Sequence, residues 1–453
     1  MTTRDSTVNP DIFKAYDVRG VYGKDLTEEA VYRIGRAAAL YLNVPEIAVC
    51  RDMRVSSPQL VAAAIKGITD QGVNVIDCGL TTTDELYFIV GYFNYPAGIM
   101  ITASHNPKQY NGIKFCRAEA YPISLDTGLA DIRDLAIQGN FPGAARKGSI
   151  THRDATDDYI KHALTYIDVS KIRPLKVVVD ASNGMAGMVM PRVFEHLPAH
   201  LYPLYFELDG TFPNHSPSPI EPENLVALQQ KVLEVGADFG AAFDGDADRM
   251  FPVDEKGNIV DGSMVMLLVS NSILRKYPGS TILYNLILSK SVPALIERDG
   301  GKAIRTRVGH SYIKAEMRKD NAIFGGEHSG HFYFRDNWYA DSGLIAFLLI
   351  LELISIENKP LSELIKPLDT WVRSGEINTP VKDVQGKLKA IEEYFSKNAR
   401  SVDHLDGVTI DYGDWWFNVR PSNTEPLLRL NVEAKTRPLV EQKRDDMVRF
   451  IRE

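Results

Sequence analysis

Apolar and polar residues alternate along most of the chain in blocks that match strands and helices. An apolar run, a polar turn, a helical stretch and a second apolar run follow one another at residues 47–77, 176–207 and 281–306. Strand–helix–strand units of this spacing predict βαβ crossovers and largely parallel sheets. The pattern therefore predicts three related α/β layers.

The C-terminal part of the chain has a different pattern. Two helical stretches bracket three short apolar runs, and Gly413 with Asp414 supplies a hairpin turn between the first two of these runs. This order predicts a small two-layer α+β domain. The predicted helices are residues 384–397 and 438–452, and the predicted strands are residues 407–411, 415–420 and 427–433.

Composition changes mark the predicted domain boundaries. Residues 138–151 are rich in glycine and in small or basic residues, which is typical of a linker, and residues 254–258 (DEKGN) form a tight turn. A third junction is expected between the apolar helix ending near residue 356 and Gly375. The predicted domains are residues 1–152, 153–256, 257–367 and 368–453.

Composition and charge exclude several classes of protein. The chain has 453 residues, of which 44% are hydrophobic, which is too apolar for a disordered chain. Lys and Arg total 51 and Asp and Glu total 59, so the formal charge of −8 argues against a nucleic-acid partner. This balance does not exclude a small anionic substrate, because a site can be locally positive.

Cysteine usage and hydropathy favour a cytoplasmic protein without a membrane partner. Three scattered cysteines fit neither a disulfide scaffold nor a cysteine zinc site. The N-terminus lacks the apolar core of a signal peptide. The longest apolar stretch, residues 344–351, is far shorter than the ~20 residues that span a bilayer.

The most distinctive segment is residues 243–249 (FDGDADR), which follows an apolar run. Asp244, Asp246 and Asp248 repel one another unless a cation neutralises them, and hard oxygen ligands suit Mg²⁺ or Ca²⁺. An EF-hand is rejected because Arg249 replaces its position-six glycine and both flanks are predicted strands. A haloacid-dehalogenase-like phosphatase and a solvated acidic turn remain open on this segment alone.

Residues 102–107 (TASHNP) also follow an apolar run. The Ser104 hydroxyl at a strand end beside His105 could be a nucleophile or a phosphate carrier. The alternative is a local hydrogen-bonded turn. No G-x-S-x-G elbow is present, which weakens a serine-hydrolase interpretation.

Three further segments carry groups that could bind a ligand. In residues 325–331 (GGEHSGH), Glu327 and Ser329 offer partners to sugar hydroxyls. Residues 420–426 (RPSNTEP) combine a guanidinium with hydroxyls and an amide, which suits a phosphate dianion. In residues 16–20 (YDVRG), Arg19 could meet a phosphate. For the first two segments the alternative is an ordinary polar turn. For Arg19 the alternative is a surface ion pair.

Taken together and in this order, these segments resemble the α-D-phosphohexomutase superfamily. TASHNP corresponds to its phosphoserine loop, DGDADR to its metal loop, GEHSGH to its sugar loop and RPSNTEP to its phosphate loop. FKAYDVRG and GHSYIK are most similar to the bacterial phosphomannomutase and phosphoglucomutase branch. The resemblance implies three mixed-sheet α/β domains and a smaller C-terminal α+β domain around a central cleft, with one motif per domain.

The resemblance also implies roles for individual residues. Ser104 would carry the phosphate and, with Asp244, Asp246 and Asp248, would bind Mg²⁺. The residues implied to orient the substrate, move protons or stabilise charge are Arg19, His105, Lys114, Arg249, His310 and His331. The residues implied to bind the sugar or its non-reacting phosphate are Tyr16, Glu327, Ser329, Arg420, Ser422, Asn423 and Thr424.

The implied reaction interconverts hexose 6-phosphate and hexose 1-phosphate through a bound hexose 1,6-bisphosphate. The expected partners are small sugar phosphates, and the sequence does not indicate an oligomeric state. Mannose phosphates are the expected substrates, with glucose phosphates possible. A phosphoglucosamine mutase, a glucose-only phosphoglucomutase, a Mg-dependent phosphatase of the haloacid-dehalogenase type and a sugar-phosphate-binding regulator are the alternatives. His328 argues against the first two, whose sugar loops often contain GEQSGH and GEES.

Overall fold

A computed structural model describes residues 8–422 and 427–453, apart from the side chain of His310. The chain divides into two compact units. The first unit comprises Met1–Asp261 and Ser329–Ser362, and the second comprises Gly262–His328 and Glu363–Glu453.

The secondary structure in the described residues is as follows. The strands are β1 (Val18–Val21), β2 (Glu46–Arg51), β3 (Asn74–Leu80), β4 (Ala97–Ile101), β5 (Tyr110–Arg117), β6 (Tyr121–Pro122), β7 (Ile150–His152), β8 (Lys176–Asp180), β9 (His200–Leu204), β10 (Phe239–Phe243), β11 (Met250–Asp254), β12 (Thr281–Asn285), β13 (Lys302–Thr306), β14 (Phe324–Gly326), β15 (Phe332–Phe334), β16 (Ala340–Asp341), β17 (Val372–Pro380), β18 (Ser401–Asp403), β19 (Val408–Asp411), β20 (Trp415–Pro421) and β21 (Leu427–Ala434). The α-helices are α1 (Glu28–Leu42), α2 (Ser57–Asp70), α3 (Thr83–Tyr92), α4 (Leu129–Gln138), α5 (Thr156–Leu164), α6 (Ala186–Phe194), α7 (Val226–Val235), α8 (Gly262–Lys276), α9 (Ser291–Arg298), α10 (His310–Lys319), α11 (Gly343–Glu357), α12 (Leu361–Ile365), α13 (Val384–Phe395) and α14 (Arg437–Arg452).

A mixed sheet with the order β1-β5-β4-β2-β3-β7 begins the first unit, and β6 pairs with β5. Strand β2 runs parallel to both β3 and β4, as the predicted βαβ crossover requires, whereas β5 is antiparallel to β4 and β1. Strand β7 pairs in parallel with β3. The end of the segment that we interpreted as a linker, residues 138–151, is therefore part of this sheet.

The second sheet of the first unit has the order β11-β10-β8-β9. Strand β8 is parallel to β9 and β10, which confirms the second predicted crossover. Strands β10 and β11 form an antiparallel pair, so the acidic segment between them is a connection of two buried strands. Leu228 and Val232 of α7 pack on this sheet against Val178 and Ala242. The short strands β15 and β16 also pair antiparallel in this unit.

The second unit contains the parallel strands β13-β12-β14 and the antiparallel sheet β17-β21-β20-β19-β18. Ile391 of α13 and Met447 of α14 pack behind this sheet against Phe417 and Leu430. The predicted two-layer α+β domain is thus confirmed. Strands β17 and β18 were not predicted.

The apolar helix α11 belongs to the first unit. Ser342 caps it by accepting a hydrogen bond from the backbone N–H of Ile345 at 3.1 Å, and its side chains are buried from Gly343 to Ser355. A helix that is apolar all round is expected to be enclosed by protein. Within residues 8–422 and 427–453, helices of the length and hydropathy needed to cross a membrane are absent.

Candidate active site

The Ser104 segment connects β4 to β5 in the first unit. Ser104 is 4% exposed and has a backbone φ of 48°, in the left-handed region that non-glycine residues adopt only when their surroundings enforce it. Its backbone N–H donates to Thr102 Oγ1 at 2.9 Å. Strain of this kind is typical of residues that must present a side chain in one direction.

Arg54, which was not predicted from the sequence, donates hydrogen bonds to this segment. Its fully buried guanidinium donates to the carbonyl oxygens of Ser104 at 2.7 Å, Asn106 at 2.6 Å and Pro107 at 3.0 Å. Asp52, also buried, lies 3.3 Å from its Nε. Both residues follow β2, which is parallel to β4. Because the carboxyl ends of parallel strands meet at one edge of a sheet, this placement could have been anticipated.

The predicted metal loop lies between β10 and β11. Asp244, Asp246 and Asp248 are at most 1% exposed, and one carboxylate oxygen from each lies within 4.8 Å of the others. Among the described residues, no hydrogen-bond partner reaches Asp246 Oδ1 or Asp248 Oδ1. Buried carboxylate oxygens without partners are costly unless a cation takes them up, and Mg²⁺ prefers oxygen ligands. The residues therefore fit a divalent cation.

The Ser104 segment and the metal loop meet directly. Ser104 Oγ donates to Asp244 Oδ2 at 2.7 Å and accepts from Arg249 Nη2 at 3.1 Å, while Arg249 Nε donates to Asp244 Oδ2 at 2.9 Å. A Cβ atom at Gly245 would lie only 2.6 Å from the Ser104 carbonyl oxygen. Glycine at position 245 thus permits the contact between the two loops.

Two cations, Lys114 and Arg249, compensate part of the negative charge. Lys114 Nζ lies 2.9 Å from Asp246 Oδ2 and 2.7 Å from Asp248 Oδ2. Burial alone would lower the pKa of Lys114, but these two carboxylates dominate and raise it well above its ordinary value. Burial would raise the pKa of Asp246, yet Lys114 and the Thr83 hydroxyl, 2.6 Å away, hold it well below its ordinary range.

The pKa of Asp244 is shifted in the opposite direction to that of Asp246. Burial raises the pKa of Asp244 well above its ordinary value, and Asp248 and Asp246 add to this against the opposing charge of Arg249. With all three carboxylates ionised, the two cations would leave a net charge of about −1, which is why ionisation of Asp244 is disfavoured. A bound divalent cation would reverse this sign and favour the ionised form of Asp244.

His105 and Arg19 adjoin the Ser104 segment. His105 Nδ1 lies 3.3 Å from Ser104 Oγ, and burial, together with the charges of Arg249 and Arg19, lowers the pKa of His105 well below its ordinary value. Arg19 Nη1 donates to the carbonyl oxygen of Ala103 at 2.6 Å. Both side chains therefore contact the same short loop.

His331 lies close to two acidic residues, Asp248 and Asp341. Its Nε2 is 3.7 Å from Asp248 Oδ1 and 3.9 Å from Asp341 Oδ2, and its Nδ1 is 3.0 Å from Ser329 Oγ. Asp341 was not anticipated, because it follows the sugar motif by ten residues and reaches His331 only through the pairing of β15 with β16.

The sugar motif continues into the second unit. Glu327 is 2% exposed, and its Oε1 accepts from the backbone N–H of Gly309 at 2.9 Å. Asn285 Nδ2 lies 3.5 Å from Glu327 Oε1 and 3.2 Å from His328 Nδ1. This arrangement fixes the carboxylate of Glu327 at the ends of β12 and β14.

Arg420 of the phosphate motif has partners that the sequence did not indicate. Its Nη2 lies 2.7 Å from Glu376 Oε2, and Arg429 Nη1 lies 3.0 Å from Glu376 Oε1. Arg429 Nη2 also donates to Ser422 Oγ at 3.4 Å. One carboxylate is therefore shared by two guanidinium groups beside this loop.

The remaining candidates are only partly described. Asn423, Thr424 and the side chain of His310 lie outside the described residues. Tyr16 is half-buried in the segment before β1, and its predicted role stays a prediction. The structure thus groups one set of predicted residues in the first unit and another in the second. The first set is Arg19, Ser104, His105, Lys114, Asp244, Asp246, Asp248, Arg249, Ser329 and His331; the second is Glu327, Arg420 and Ser422.

Known proteins resemble the chain over nearly its full length. It is 41% identical over 452 residues to a phosphomannomutase of Salmonella montevideo, covering 98% of this chain and 99% of that protein. A phosphoglucomutase/phosphomannomutase family protein of Burkholderia thailandensis superposes with a TM-score of 0.89 at 33% identity, covering 98% and 97% of the two chains. An Aspergillus fumigatus N-acetylphosphoglucosamine mutase, solved with glucose 1,6-bisphosphate, shares the fold at 11% identity and a TM-score of 0.63, covering 100% of this chain and 96% of that one.

Family models match four consecutive segments of the chain. Phosphoglucomutase/phosphomannomutase alpha/beta/alpha domains I, II and III match residues 10–141, 157–257 and 261–370, and the C-terminal domain of the same family matches residues 376–450. The expected order of three α/β domains and one C-terminal domain is confirmed, whereas the individual predicted boundaries stay predictions. The chain therefore belongs to the phosphoglucomutase/phosphomannomutase family.

Proposed function

We propose that this protein is a cytoplasmic mutase that interconverts hexose 6-phosphate and hexose 1-phosphate, with mannose phosphates as its preferred substrates. Ser104 would carry the transferred phosphate, and hexose 1,6-bisphosphate would be the bound intermediate. The observation that carries this proposal is the position of Ser104 Oγ between Asp244 and the Arg249 guanidinium. The three free and buried thiols suit a reducing compartment.

The proposed reaction has two mirrored transfers. In the first, the bond between phosphorus and Ser104 Oγ breaks while a hydroxyl oxygen of the hexose phosphate bonds to phosphorus, and the hydroxyl proton passes to a base. In the second, the other phosphate of the bisphosphate returns to Ser104 Oγ, and the sugar oxygen that it leaves regains a proton. Both steps conserve the number of phosphates on enzyme and sugar together.

Charge stabilisation is the main requirement of such a transfer. Arg249 Nη2, 3.1 Å from Ser104 Oγ, would stabilise the negative charge that appears on this oxygen as the bond to phosphorus breaks. Asp244, Asp246, Asp248 and the phosphate on Ser104 would hold Mg²⁺. Bound Mg²⁺ supplies positive charge next to the phosphoryl oxygens.

Lys114 and His331 are the two candidates for moving the sugar proton. Lys114 contacts two carboxylates within 2.9 Å, which favours a permanent ammonium that neutralises charge rather than a base. His331, anchored by Ser329 through one nitrogen, would then be the base. Glu327 and Ser329 would hold sugar hydroxyls, and Arg420, Ser422, Asn423 and Thr424 would hold the non-reacting phosphate.

The pH dependence of turnover distinguishes the two proton carriers. We expect His331→Ala to lower turnover by about 10²-fold or more and to remove the acidic limb of the pH–rate profile, which is the fall in rate at low pH that a general base produces when it becomes protonated. Lys114→Met should lower turnover without removing that limb. Unchanged turnover in both variants would contradict the assignment of either residue to proton transfer.

Substrate preference is tested by comparing kcat/KM for mannose 1-phosphate, glucose 1-phosphate and glucosamine 1-phosphate in a mutase assay. Because mannose and glucose differ only at C2, discrimination between them should be modest, roughly 10- to 100-fold. A higher kcat/KM for mannose 1-phosphate supports the proposal. A higher value for either of the other sugars contradicts the proposed preference but not the mutase reaction.

A further inference from the structure

The two carboxylate oxygens of Asp246 have different surroundings. Oδ2 accepts hydrogen bonds from Thr83 Oγ1 at 2.6 Å, Lys114 Nζ at 2.9 Å and Thr102 Oγ1 at 3.2 Å. Oδ1 is buried, and within the described ranges no hydrogen-bond partner reaches it. Because a carboxylate oxygen has roughly two lone-pair sites, three donors leave no room on Oδ2 for a further ligand. Asp246 therefore offers a cation one oxygen, Oδ1.

Asp248 shows the same division between its oxygens. Its Oδ2 lies 2.7 Å from Lys114 Nζ, whereas no described residue forms a hydrogen bond with its Oδ1. Oxygens of Asp246 and Asp248 lie within 4.8 Å of each other and of an oxygen of Asp244. The metal loop thus presents at least two carboxylates that each have one oxygen left for a cation.

Thr83 is the donor closest to Asp246 Oδ2, and it belongs to a different part of the first unit. It is the first residue of α3, is fully buried and lies 163 positions from Asp246 in the chain. Its backbone N–H also donates to the carbonyl oxygen of Asp246 at 3.0 Å. Two hydrogen bonds from one residue therefore fix both the backbone and the carboxylate of Asp246.

The start of α3 is itself held in place from two sides. The next residue, Asp84, accepts from Tyr159 Oη of α5 at 2.5 Å and from Ser342 Oγ, the cap of α11, at 2.7 Å. The Thr83 hydroxyl is therefore placed by an anchored helix rather than by a free loop. Groups that orient the ligands of a metal in this way commonly govern its affinity.

One-oxygen carboxylates do not suit all divalent cations equally. Ca²⁺ takes about six to eight oxygen ligands and often both oxygens of one carboxylate. Mg²⁺ is smaller and requires near-octahedral geometry, with few carboxylate ligands and several waters. A carboxylate that is prevented from binding through both oxygens thus disfavours Ca²⁺ relative to Mg²⁺.

We propose that Thr83 is a positioning residue of the cation site, whose hydroxyl restricts Asp246 to binding through Oδ1 and thereby selects Mg²⁺ over Ca²⁺. The inference rests on the proposed function, because it takes Asp246 to be a ligand of the cation. Thr83 acts through Asp246 and does not itself contact the cation. The acidic segment alone, which suits either cation, does not contain the group that selects between them.

Titration calorimetry of the full-length protein with magnesium chloride and with calcium chloride tests this role. Each sample is first treated with a chelator, and intact mass confirms that all samples carry the same amount of phosphate. Thr83→Val keeps the shape of the side chain but removes the hydroxyl. We expect it to raise the Kd for Mg²⁺ about tenfold and the Kd for Ca²⁺ by less, so that the ratio of the two falls at least about threefold.

Two further variants separate the hydroxyl from the fold. Thr83→Ser keeps the hydroxyl and should bring both Kd values back to within about twofold of the wild type. Thr69→Val is the matched control, because Thr69 is a buried threonine whose hydroxyl donates to the carbonyl oxygen of Ile65 in α2, at 2.9 Å. Its Kd values should also stay within about twofold of the wild type.

Three results would overturn the proposal. The first is a Kd for Mg²⁺ in Thr83→Val within about twofold of the wild type, and the second is an increase by the same factor for both cations. The third needs no variant: a wild-type protein that binds Ca²⁺ as tightly as Mg²⁺, or more tightly, lacks the selectivity. If circular dichroism shows that Thr83→Val is unfolded, Thr83→Ala is judged by the same criteria.

The same measurements distinguish this inference from the proposed function. A protein without mutase turnover whose preference for Mg²⁺ depends on the Thr83 hydroxyl would contradict the proposed function alone. An active mutase whose cation affinities do not respond to Thr83→Val would contradict this inference alone. A wild-type protein that binds neither cation would contradict both.

Discussion

At the scale of single residues, the geometry of Ser104 depends on a buried arginine. Arg54 donates to three carbonyl groups of the Ser104 segment, and Asp52 is its only acidic neighbour within an ion-pair distance among the described residues. A guanidinium that is fully buried must have all of its charge compensated by such contacts. Arg54 therefore stabilises both the fold and the unusual backbone conformation of Ser104.

Replacement of Arg54 should be strongly destabilising. We expect Arg54→Met to lower the free energy of unfolding by about 3–5 kcal/mol, because Asp52 and several carbonyl oxygens would remain buried without their partner. Urea unfolding followed by circular dichroism measures this change. Arg133→Met, at an exposed ion pair of α4, is the control and should change the value by less than about 1 kcal/mol. Equal effects of the two substitutions would contradict this role of Arg54.

The residues that could be predicted from sequence are those in dense, contiguous motifs. Ser104 and the three aspartates stand out because their neighbours in sequence share their chemistry. The residues outside those motifs are Arg54, Asp341, Glu376 and Arg429. Their partners are set by strand register and by the meeting of parallel strand ends, which a single sequence does not specify.

At the scale of secondary-structure elements, apolar content explains what could be predicted. Strand β8 has four buried residues in sequence and a helix before its parallel neighbour, so its βαβ unit was predicted within a few residues. Strand β17 (VRSGEINTP) is mostly half-exposed, contains Gly375 at a φ of 72° and has a bulge between Arg373 and Glu376. A strand with this irregular pattern is defined by its partner β21 rather than by its own sequence.

The first turn of α3 carries two buried acids. Asp84 accepts from Tyr159 Oη at 2.5 Å and Ser342 Oγ at 2.7 Å, and Glu85 Oε1 accepts from Thr156 Oγ1 at 2.9 Å. Burial raises the pKa of Asp84 to about 7 and that of Glu85 to about 8. The folded protein thus keeps two protons that the unfolded chain releases near pH 4.

These two acids should make stability fall as pH rises. Between about pH 4.5 and pH 7 the folded state binds more protons than the unfolded state, so their contribution is full at low pH and is lost as pH rises through the folded pKa values. We expect Asp84→Asn to flatten the decline in unfolding free energy between pH 5 and pH 7 by about 1 kcal/mol per pH unit. Chemical denaturation at several pH values measures this, with the exposed Asp134→Asn as control. An identical slope in wild type and Asp84→Asn would contradict the raised pKa.

At the scale of the whole molecule, a formal charge of −8 coexists with concentrated cations at the candidate site. Arg19, Arg54, Lys114 and Arg249 all lie within the first unit around the Ser104 segment and the metal loop. The net charge of the chain, which argues against a nucleic-acid partner, does not describe this local field. Only the folded arrangement of distant segments shows where positive charge accumulates.

A divalent cation bound by the buried carboxylates Asp244, Asp246 and Asp248 should stabilise the whole protein. Since a cation that binds only the folded state stabilises it, Mg²⁺ at about 100 times its Kd should add roughly 2.7 kcal/mol to the free energy of unfolding. Chelation should lower the Tm, and Mg²⁺ should restore it. Asp246→Ala should abolish this response, whereas Asp126→Ala, on an exposed turn, should retain it. A Tm indifferent to Mg²⁺ in the wild type would contradict the assignment of a cation to this cluster.

The central claim is that Ser104 carries the transferred phosphate, and peptide mapping of the phosphorylated protein combined with a mutase assay of Ser104→Ala tests it most directly. The account predicts phosphate on the peptide containing Ser104 and a loss of mutase turnover of at least about 10²-fold in Ser104→Ala. Full turnover in Ser104→Ala, or phosphate found on an aspartate of the metal loop instead, would contradict it.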